Sequence, residues 1–292
     1  MFSFGEFTYK TSDGKANFSV WELLLFTALG ALGGLAGALF NHLNKRLTQW
    51  RMRHCASKAL RALEAWGVCV LCSTVMYVVP CLWRRCTPKP LVQVTWTQFE
   101  KNLVEDLVPF GCPADSYNEV ASLFFTDSDT AIKQLFHFRE SGVFNQDVQT
   151  FSSLAIATFY VPYFLCACLT YGIAVPSGLF VPSLLGGAAL GRLVGHLLHR
   201  LDAQSGTFAD AGTYALVGAA AGLGGMARMT ISLCVILLEA TGNISNLLPL
   251  MLALMAARWV GNVFNEGLYD VHIHLKKMPI LEEEVPAAAA ER

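Results

Sequence analysis

Residues 170–191 read TYGIAVPSGLFVPSLLGGAALG: two short apolar pieces joined by Pro176, Ser177 and Gly178, with no charged side chain. The uncharged run extends from Val148 to Gly191, and a run of that length and apolarity belongs in a bilayer. Pro176 and Pro182 each predict a break in it. A broken helix in lipid frees peptide N–H groups, which are tolerated only where protein buries them or a polar cavity meets them. The piece beginning near Gly178 predicts a helix start inside the membrane, with unpaired N–H groups and the positive dipole end directed inward. Such an end binds anions without any Lys or Arg. The stretch therefore predicts a membrane-embedded anion site.

Composition agrees. The chain has 292 residues, 54% of them hydrophobic and 15% charged, and a mean hydropathy of +0.44; a soluble domain carries about 25% charged residues. A net charge of −1 gives no global field for nucleic acid, and no metal-binding pattern of Cys or His is present. Cys69, Cys72, Cys81, Cys166, Cys168 and Cys234 lie in apolar stretches and read as small buried hydrophobes. Cys86 and Cys112 flank a more polar loop, and they pair if that loop faces an oxidising lumen. The N-terminus MFSFGEFTYK has no basic n-region followed by an apolar h-region, so no cleaved signal is predicted.

Around the broken stretch the chain reads as an all-α polytopic membrane protein with tilted and broken helices. Leu23–Leu43 is one span, with Gly30, Gly33, Gly34 and Gly37 forming a small-residue face for close helix packing. Lys45, Arg46, Arg51, Arg53, Lys58 and Arg61 follow, which predicts a cytoplasmic connection. Ala65–Trp83 returns the chain to the other side, so residues 84–147, with an amphipathic piece near Asn118–Phe136, read as a luminal loop. Thr150–Thr170 is a third full span, and 171–200 is the broken one. Ala211–Ala227 is short and rich in small residues, as in a packed, tilted or partial span. Met229–Ala257 carries one acid, Glu239, and is divided by Gly242–Asn243; Trp259–His274 is the last helical piece. Such uneven spans favour a transporter or channel.

At Gly178-Leu179-Phe180-Val181-Pro182, glycine lets the backbone approach a ligand, and proline fits the first helical turn, where its missing N–H costs nothing. Two readings stand on these residues alone: amides of Leu179 and Phe180 aimed at an anion, or a proline-kinked packing helix. Arg228 and Glu239 are costly in a membrane and read as pairing or capping groups. His42, His196 and His199 sit near span ends and read as packing or interfacial residues. Asn17-Phe18-Ser19 and Asn243-Ile244-Ser245 fit the glycosylation sequon, the second at a tight helix break that disfavours modification.

The run TYGIAVPSGLFVPSLLGGAALGRLVG resembles the anion-binding signature of the CLC chloride channel/transporter family, whose consensus is GxFxP. FSFGEF, GGLAGALFNHLNKRLTQWRMR, SYNEVASLFF, ALVGAAAGLGGMARMTISLCVILLEAT and VFNEGLYDVHIHLKKMP resemble successive segments of that family in the expected order over residues 2–281. They are most similar to the eukaryotic intracellular branch, the late-endosomal and lysosomal chloride/proton exchangers. The resemblance implies an anion site made by Gly178, Leu179, Phe180 and Pro182, with the Leu179 and Phe180 amides on the chloride ion. It also implies that Tyr269, within EGLYD, presents its hydroxyl to the central anion. A neutral phenol donates a hydrogen bond without holding the ion too tightly for release.

The same resemblance implies what is absent. The GSGIP-type and GKxGP-type elements, with their serine and gating glutamate, do not occur in these 292 residues, nor does the proton-relaying glutamate. Residues 1–281 thus read as the C-terminal half of a CLC membrane domain, and 282–292 as the start of a cytoplasmic linker without its CBS pair. The expected function is chloride transport in the membrane of a late endosome, lysosome or related compartment, as part of a proton-coupled antiporter. The expected partners are chloride, protons in the full-length relative, the lipid bilayer, and a second copy bound through helices in 229–257. A voltage-gated chloride channel of the same family and a non-transporting partner subunit are the alternatives. No nucleophile–base constellation or cofactor motif points to an enzyme, so no cofactor is expected beside the transported chloride.

Overall fold

The computed structural model describes residues 20–55, 57–89, 98–113, 115–137, 150–201, 209–242, 244–276 and 278–279. The FSFGEF stretch, the Asn17 sequon, Asn243 and residues 282–292 lie outside them. In chain order the elements are α1 (Glu22–His54), α2 (Lys58–Leu82), β1 (Thr87–Pro88), α3 (Gln98–Glu105), β2 (Ser116–Tyr117), α4 (Glu119–Phe125) and α5 (Ser128–His137). They are followed by α6 (Ser153–Thr170), α7 (Phe180–Leu201), α8 (Ala211–Ala227), α9 (Ile231–Thr241), α10 (Leu247–Phe264) and α11 (Leu268–Lys276). Among the described residues, five helical stretches are long and apolar enough to cross a membrane: Glu22–His54, Lys58–Leu82, Ser153–Thr170, Phe180–Arg200 and Ile244–Lys276.

The buried centre is α8, whose residues Ala211 to Met226 are all inaccessible. It carries no charge and is mostly Gly and Ala, so three helices approach its backbone or that of their shared neighbours. A Cβ on Gly37 of α1 would lie 2.3 Å from Gly225 C, and one on Gly191 of α7 would lie 2.2 Å from Tyr214 O. On the other side of α1, a Cβ on Gly30 would lie 2.4 Å from Ala253 O of α10. The predicted small-residue face of α1 therefore serves two partners: Gly33 and Gly37 meet α8, and Gly30 and Gly34 meet α10. Such contacts stabilise helix pairs in lipid by close van der Waals packing, since no hydrophobic force acts there.

Several boundaries differ from expectation. α1 does not stop at Leu43 but runs to His54. No Gly or Pro interrupts residues 39–66, and Lys45, Arg46 and Arg53 face outward while Asn44, Thr48 and Arg51 are buried. Pro182 causes no break, because it stands in the first turn of α7, where its missing N–H leaves no bond unmade. Trp259–His274 is two helices, separated at Asn265–Gly267; the extended backbone of Asn265 ends α10. The piece near Asn118–Phe136 is likewise two helices, α4 and α5. Gly242, with φ 65°, does divide α9 from the segment leading to α10. Of the cysteines read as buried, Cys72, Cys166, Cys168 and Cys234 are so, whereas Cys69 and Cys81 are exposed on α2.

The polar segment after α2 is stitched onto the helices. Asn118, buried, donates to Pro80 O (3.4 Å) and Trp83 O (2.9 Å) and accepts from the Val120 and Ala121 amides (both 3.1 Å). One carboxamide thus caps the end of α2 and the start of α4. The Cys86–Cys112 disulfide and the β1–β2 ladder, Thr87 opposite Tyr117 and Pro88 opposite Ser116, close the same loop. Burial, reinforced by the Glu119 carboxylate, pushes the Tyr117 phenol well above its usual range. It therefore stays protonated and donates to Thr150 O.

Two outcomes check this packing. Gly218→Ala puts a Cβ 2.4 Å from Gly191 Cα and should cost about 2 kcal/mol. Gly67→Ala, with nothing within 4 Å of its Cβ, should be neutral or stabilising by up to about 1 kcal/mol; thermal unfolding in detergent reads both. Alkylation of the denatured, unreduced protein should modify seven cysteines, and all nine only after reduction.

Candidate anion site at the start of α7

α6 ends at Thr170, and the Tyr171 amide still donates to Ala167 O at 3.1 Å. Gly172, at φ 85°, then turns the chain sharply. Residues 174–178 are exposed, Leu179 is buried, and α7 begins at Phe180. Leu179 O accepts from the Ser183 amide (3.1 Å) and the Ser183 hydroxyl (2.7 Å), which also reaches Phe180 O (2.9 Å). This fixes the first turn while the amides of Leu179, Phe180 and Val181 have no earlier carbonyl in the helix to bond. A cavity of about 30 Å³ opens there, lined in part by Ser177, Gly178, Leu179, Pro182 and Tyr171. Room of that size admits a water or two, or a monatomic ion, and little more. Among the described residues, no Lys, Arg, Asp or Glu lines it.

The structure brings Gly178, Leu179 and Pro182 to that cavity and places Phe180 at the helix start with its side chain outside the lining. Tyr269 is not in the lining either; it stands 45% exposed in the first turn of α11. Its neighbour Leu268 is fully buried in a cluster with Leu179, Phe40, Cys168 and Met226. The starts of α7 and α11 are therefore packed together, while the Tyr269 phenol lies off the wall of the cavity.

The helix ends around the site are held by one face of α1. Asn41, Asn44, Thr48 and Arg51 recur at helical spacing and are all buried. Asn41 Nδ2 donates to Met226 O at the end of α8 and to Glu266 O before α11, both at 3.2 Å. Asn44 Nδ2 donates to Cys168 O (3.3 Å) and Tyr171 O (3.0 Å). Arg51 donates to Tyr171 O (2.9 Å) and Leu169 O (2.5 Å), and pairs with Glu64 of α2 at 2.5 Å. Orphan carbonyls at a helix end in lipid need such donors. Arg51 therefore belongs to α1 and not to a basic connection, and the two asparagines, which no sequence motif singles out, share one helix face with Thr48.

Arg228 acts as the capping group expected of it. At φ 63° it closes α8 in the left-handed region, and its guanidinium donates to Arg258 O (3.2 Å) and Asn265 Oδ1 (2.8 Å). Asn265 Nδ2 in turn donates to Ala38 O at 2.7 Å. Glu239 is exposed on α9 and forms no ion pair with a described residue. His196 is buried beside Arg192, whose Nε donates to it at 3.2 Å and whose guanidinium also caps the end of α5 at Gln134 O and Leu135 O. Beside Gly172 a second, polar cavity of about 280 Å³ is lined by Arg51, Arg61, Glu64, His272 and Lys276, among others.

A bundle of membrane-crossing helices with an uncharged, ion-sized cavity at a helix start is the architecture of a transport or channel protein. The chain belongs to the voltage gated chloride channel family, which matches it over residues 1–262. It is 38% identical over 289 residues to human H(+)/Cl(-) exchange transporter 7, covering 99% of this chain and 33% of that protein. It is 38% identical over 285 residues to chloride channel protein CLC-d of Arabidopsis thaliana, covering 95% and 35% respectively. The crystal structure of a eukaryotic CLC transporter superposes with a TM-score of 0.56 at 27% identity, over 92% of this chain and 38% of that one. A slow cyanobacterial Cl−/H+ antiporter shares the fold, with a TM-score of 0.55 at 16% identity over 94% and 51%. The chain thus belongs to a multi-pass membrane protein family and spans about a third of the length of these curated relatives.

Arg51 pairs with Glu64 and also caps the end of α6 at Tyr171 O and Leu169 O, and its loss leaves the Glu64 carboxylate without its cation. Arg51→Met should therefore destabilise more than Glu64→Gln, by about 2 kcal/mol, in thermal unfolding of the two variants.

Proposed function

We propose that this chain supplies part of a chloride pathway, working with the remainder of its subunit in a proton-coupled chloride antiporter of an intracellular membrane. The observation that carries the reading is the start of α7, where the amides of Leu179 and Phe180 have no helical partner and Leu179 lines a small cavity without charged walls among the described residues. Amides and a helix dipole attract an anion yet release it more readily than a lysine or arginine would. Arg61 and Lys276 at the larger polar cavity raise the local anion concentration at one mouth. Tyr269 serves as a second wall once α11 is seated against the rest of the subunit, since Leu268 already anchors that helix beside Leu179.

The exchange reading follows the name of the human relative. The name of CLC-d, at the same 38% identity, favours a chloride channel as the second reading. Residues 1–281 form part of the membrane domain and 282–292 lead into a cytoplasmic linker. The Cys86–Cys112 bridge supports a luminal side for the loop at 84–147, because disulfides persist where the compartment is oxidising. The basic residues that follow Leu43 support a cytoplasmic side for the α1–α2 turn. Exposed Ile231, Val235 and Ile236 of α9 with Leu247, Leu248 and Met251 of α10 support a second copy of the subunit against 229–257, with lipid around the rest.

Phe180→Pro keeps the first helical position competent, since proline is favoured there, and deletes one amide donor. In the full-length protein reconstituted into liposomes it should weaken chloride binding about tenfold, and bromide soaked into wild-type crystals should give an anomalous peak against the Leu179 and Phe180 amides. Chloride affinity unchanged by Phe180→Pro, with bromide bound elsewhere, would overturn the site. Chloride flux without proton movement would favour the channel.

A further inference from the structure

We infer that Asn44 is a positioning residue for the proposed chloride site, holding its two walls at a fixed separation; this rests on the reading of Leu179, Phe180 and Tyr269 given above. Asn44 is completely buried, and its carboxamide is used on both sides. Its Nδ2 donates to Cys168 O (3.3 Å) and Tyr171 O (3.0 Å) at the end of α6. Its Oδ1 accepts from His272 Nε2 of α11 at 3.0 Å, with the Thr48 hydroxyl 3.5 Å away.

Those two elements carry the two halves of the site. From Tyr171 the chain runs through Gly172 to Gly178, Leu179 and Phe180. From His272, one helical turn back along α11, stands Tyr269. The same junction is tightened by an edge-on contact between the Tyr171 and His272 rings, with centroids 5.3 Å apart. Of these two elements Arg51 reaches only the α6 end, and Asn41 reaches the α8 end and Glu266. Asn44 is thus the α1 side chain that bonds both the strand leading to the amides and the helix bearing the phenol. An anion held by fixed amides and a phenol discriminates ions by the spacing of those donors. Loosening the junction changes affinity and selectivity together, which loss of a plain helix cap does not.

The test uses the full-length protein that contains this chain, with chloride and nitrate binding measured by titration calorimetry and Tm measured in parallel. Asn44→Leu matches the side chain in shape without its polar atoms and should weaken chloride binding about tenfold. His272→Phe keeps the ring against Tyr171, loses only the bond to Asn44, and should weaken it about threefold. Both should erode the preference for chloride over nitrate. Ser152→Ala removes the cap at the opposite end of α6, where Ser152 Oγ accepts from the Ala155 amide at 3.2 Å; it should lower Tm and leave chloride affinity alone. If Asn44→Leu does not fold, His272→Phe decides, because His272 is only half-buried. Wild-type affinity and preference in the folded variants would overturn the inference, as would an equal loss in Ser152→Ala. Wild-type affinity in Phe180→Pro, with bromide bound elsewhere, would instead overturn the chloride site itself, and this inference with it.

Discussion

Peptide groups that lose their helical partners inside a bilayer must find others within the protein. α6 ends and α7 begins around one short turn at 171–179, so carbonyls on one side and amides on the other are freed together. The carbonyls are taken by Asn44 and Arg51. The amides at Leu179 and Phe180 are left without a helical partner, with Leu179 in the wall of a cavity. That division follows from polarity: side-chain donors saturate the end that would repel an anion and leave open the end that attracts one.

Holding the turn requires α1 to lie close against α6, α8 and α10 at once, and glycine makes this possible. With any side chain at Gly37 or Gly34, α1 would stand away from α8 or α10, since a Cβ would come within 2.3 Å of Gly225 C or 2.5 Å of Ala257 O. Moving α1 outward by the width of a methyl group would carry Asn44 and Arg51 out of reach of the α6 carbonyls. The small-residue face and the polar face are thus one device, with glycine setting the depth at which the donors sit.

Much of this was legible in the chain. The unpartnered helix start at Gly178–Pro182, the small-residue face of α1, the compact α8 and the break at Gly242 all follow from local rules for glycine, proline and apolar length. The missed features depend on partners far away in sequence. Asn44 and Tyr171 are 127 residues apart, and Asn44 and His272 are 228 apart; no pattern near Asn44 announces either. The end of α1 is hidden for a related reason. A charge run resembles a connection, but Lys and Arg are good helix formers, and only the burial of every third or fourth residue shows that the helix continues. Pro182 was read both as a break and as a first-turn residue, and the position of Phe180 as the first helical residue favours the second.

The exposure of α2 and Tyr269 belongs to the same argument. α2 buries only Cys72 and Pro80, while Leu63, Trp66 and Tyr77 stand 57–68% exposed; a helix apolar on every face demands lipid or further protein around it. Tyr269, 45% exposed in the turn whose Leu268 is sealed against Leu179, has its backbone placed by this chain and its hydroxyl free to meet what packs against α11. The chain spans 33% of the length of the human relative, and on the proposed reading the remainder of the subunit and lipid cover these surfaces. On that view α1 and its polar face set the positions of the amides and the phenol in advance. On the proposed chloride reading, the rest of the subunit then closes the cage without having to build these two walls.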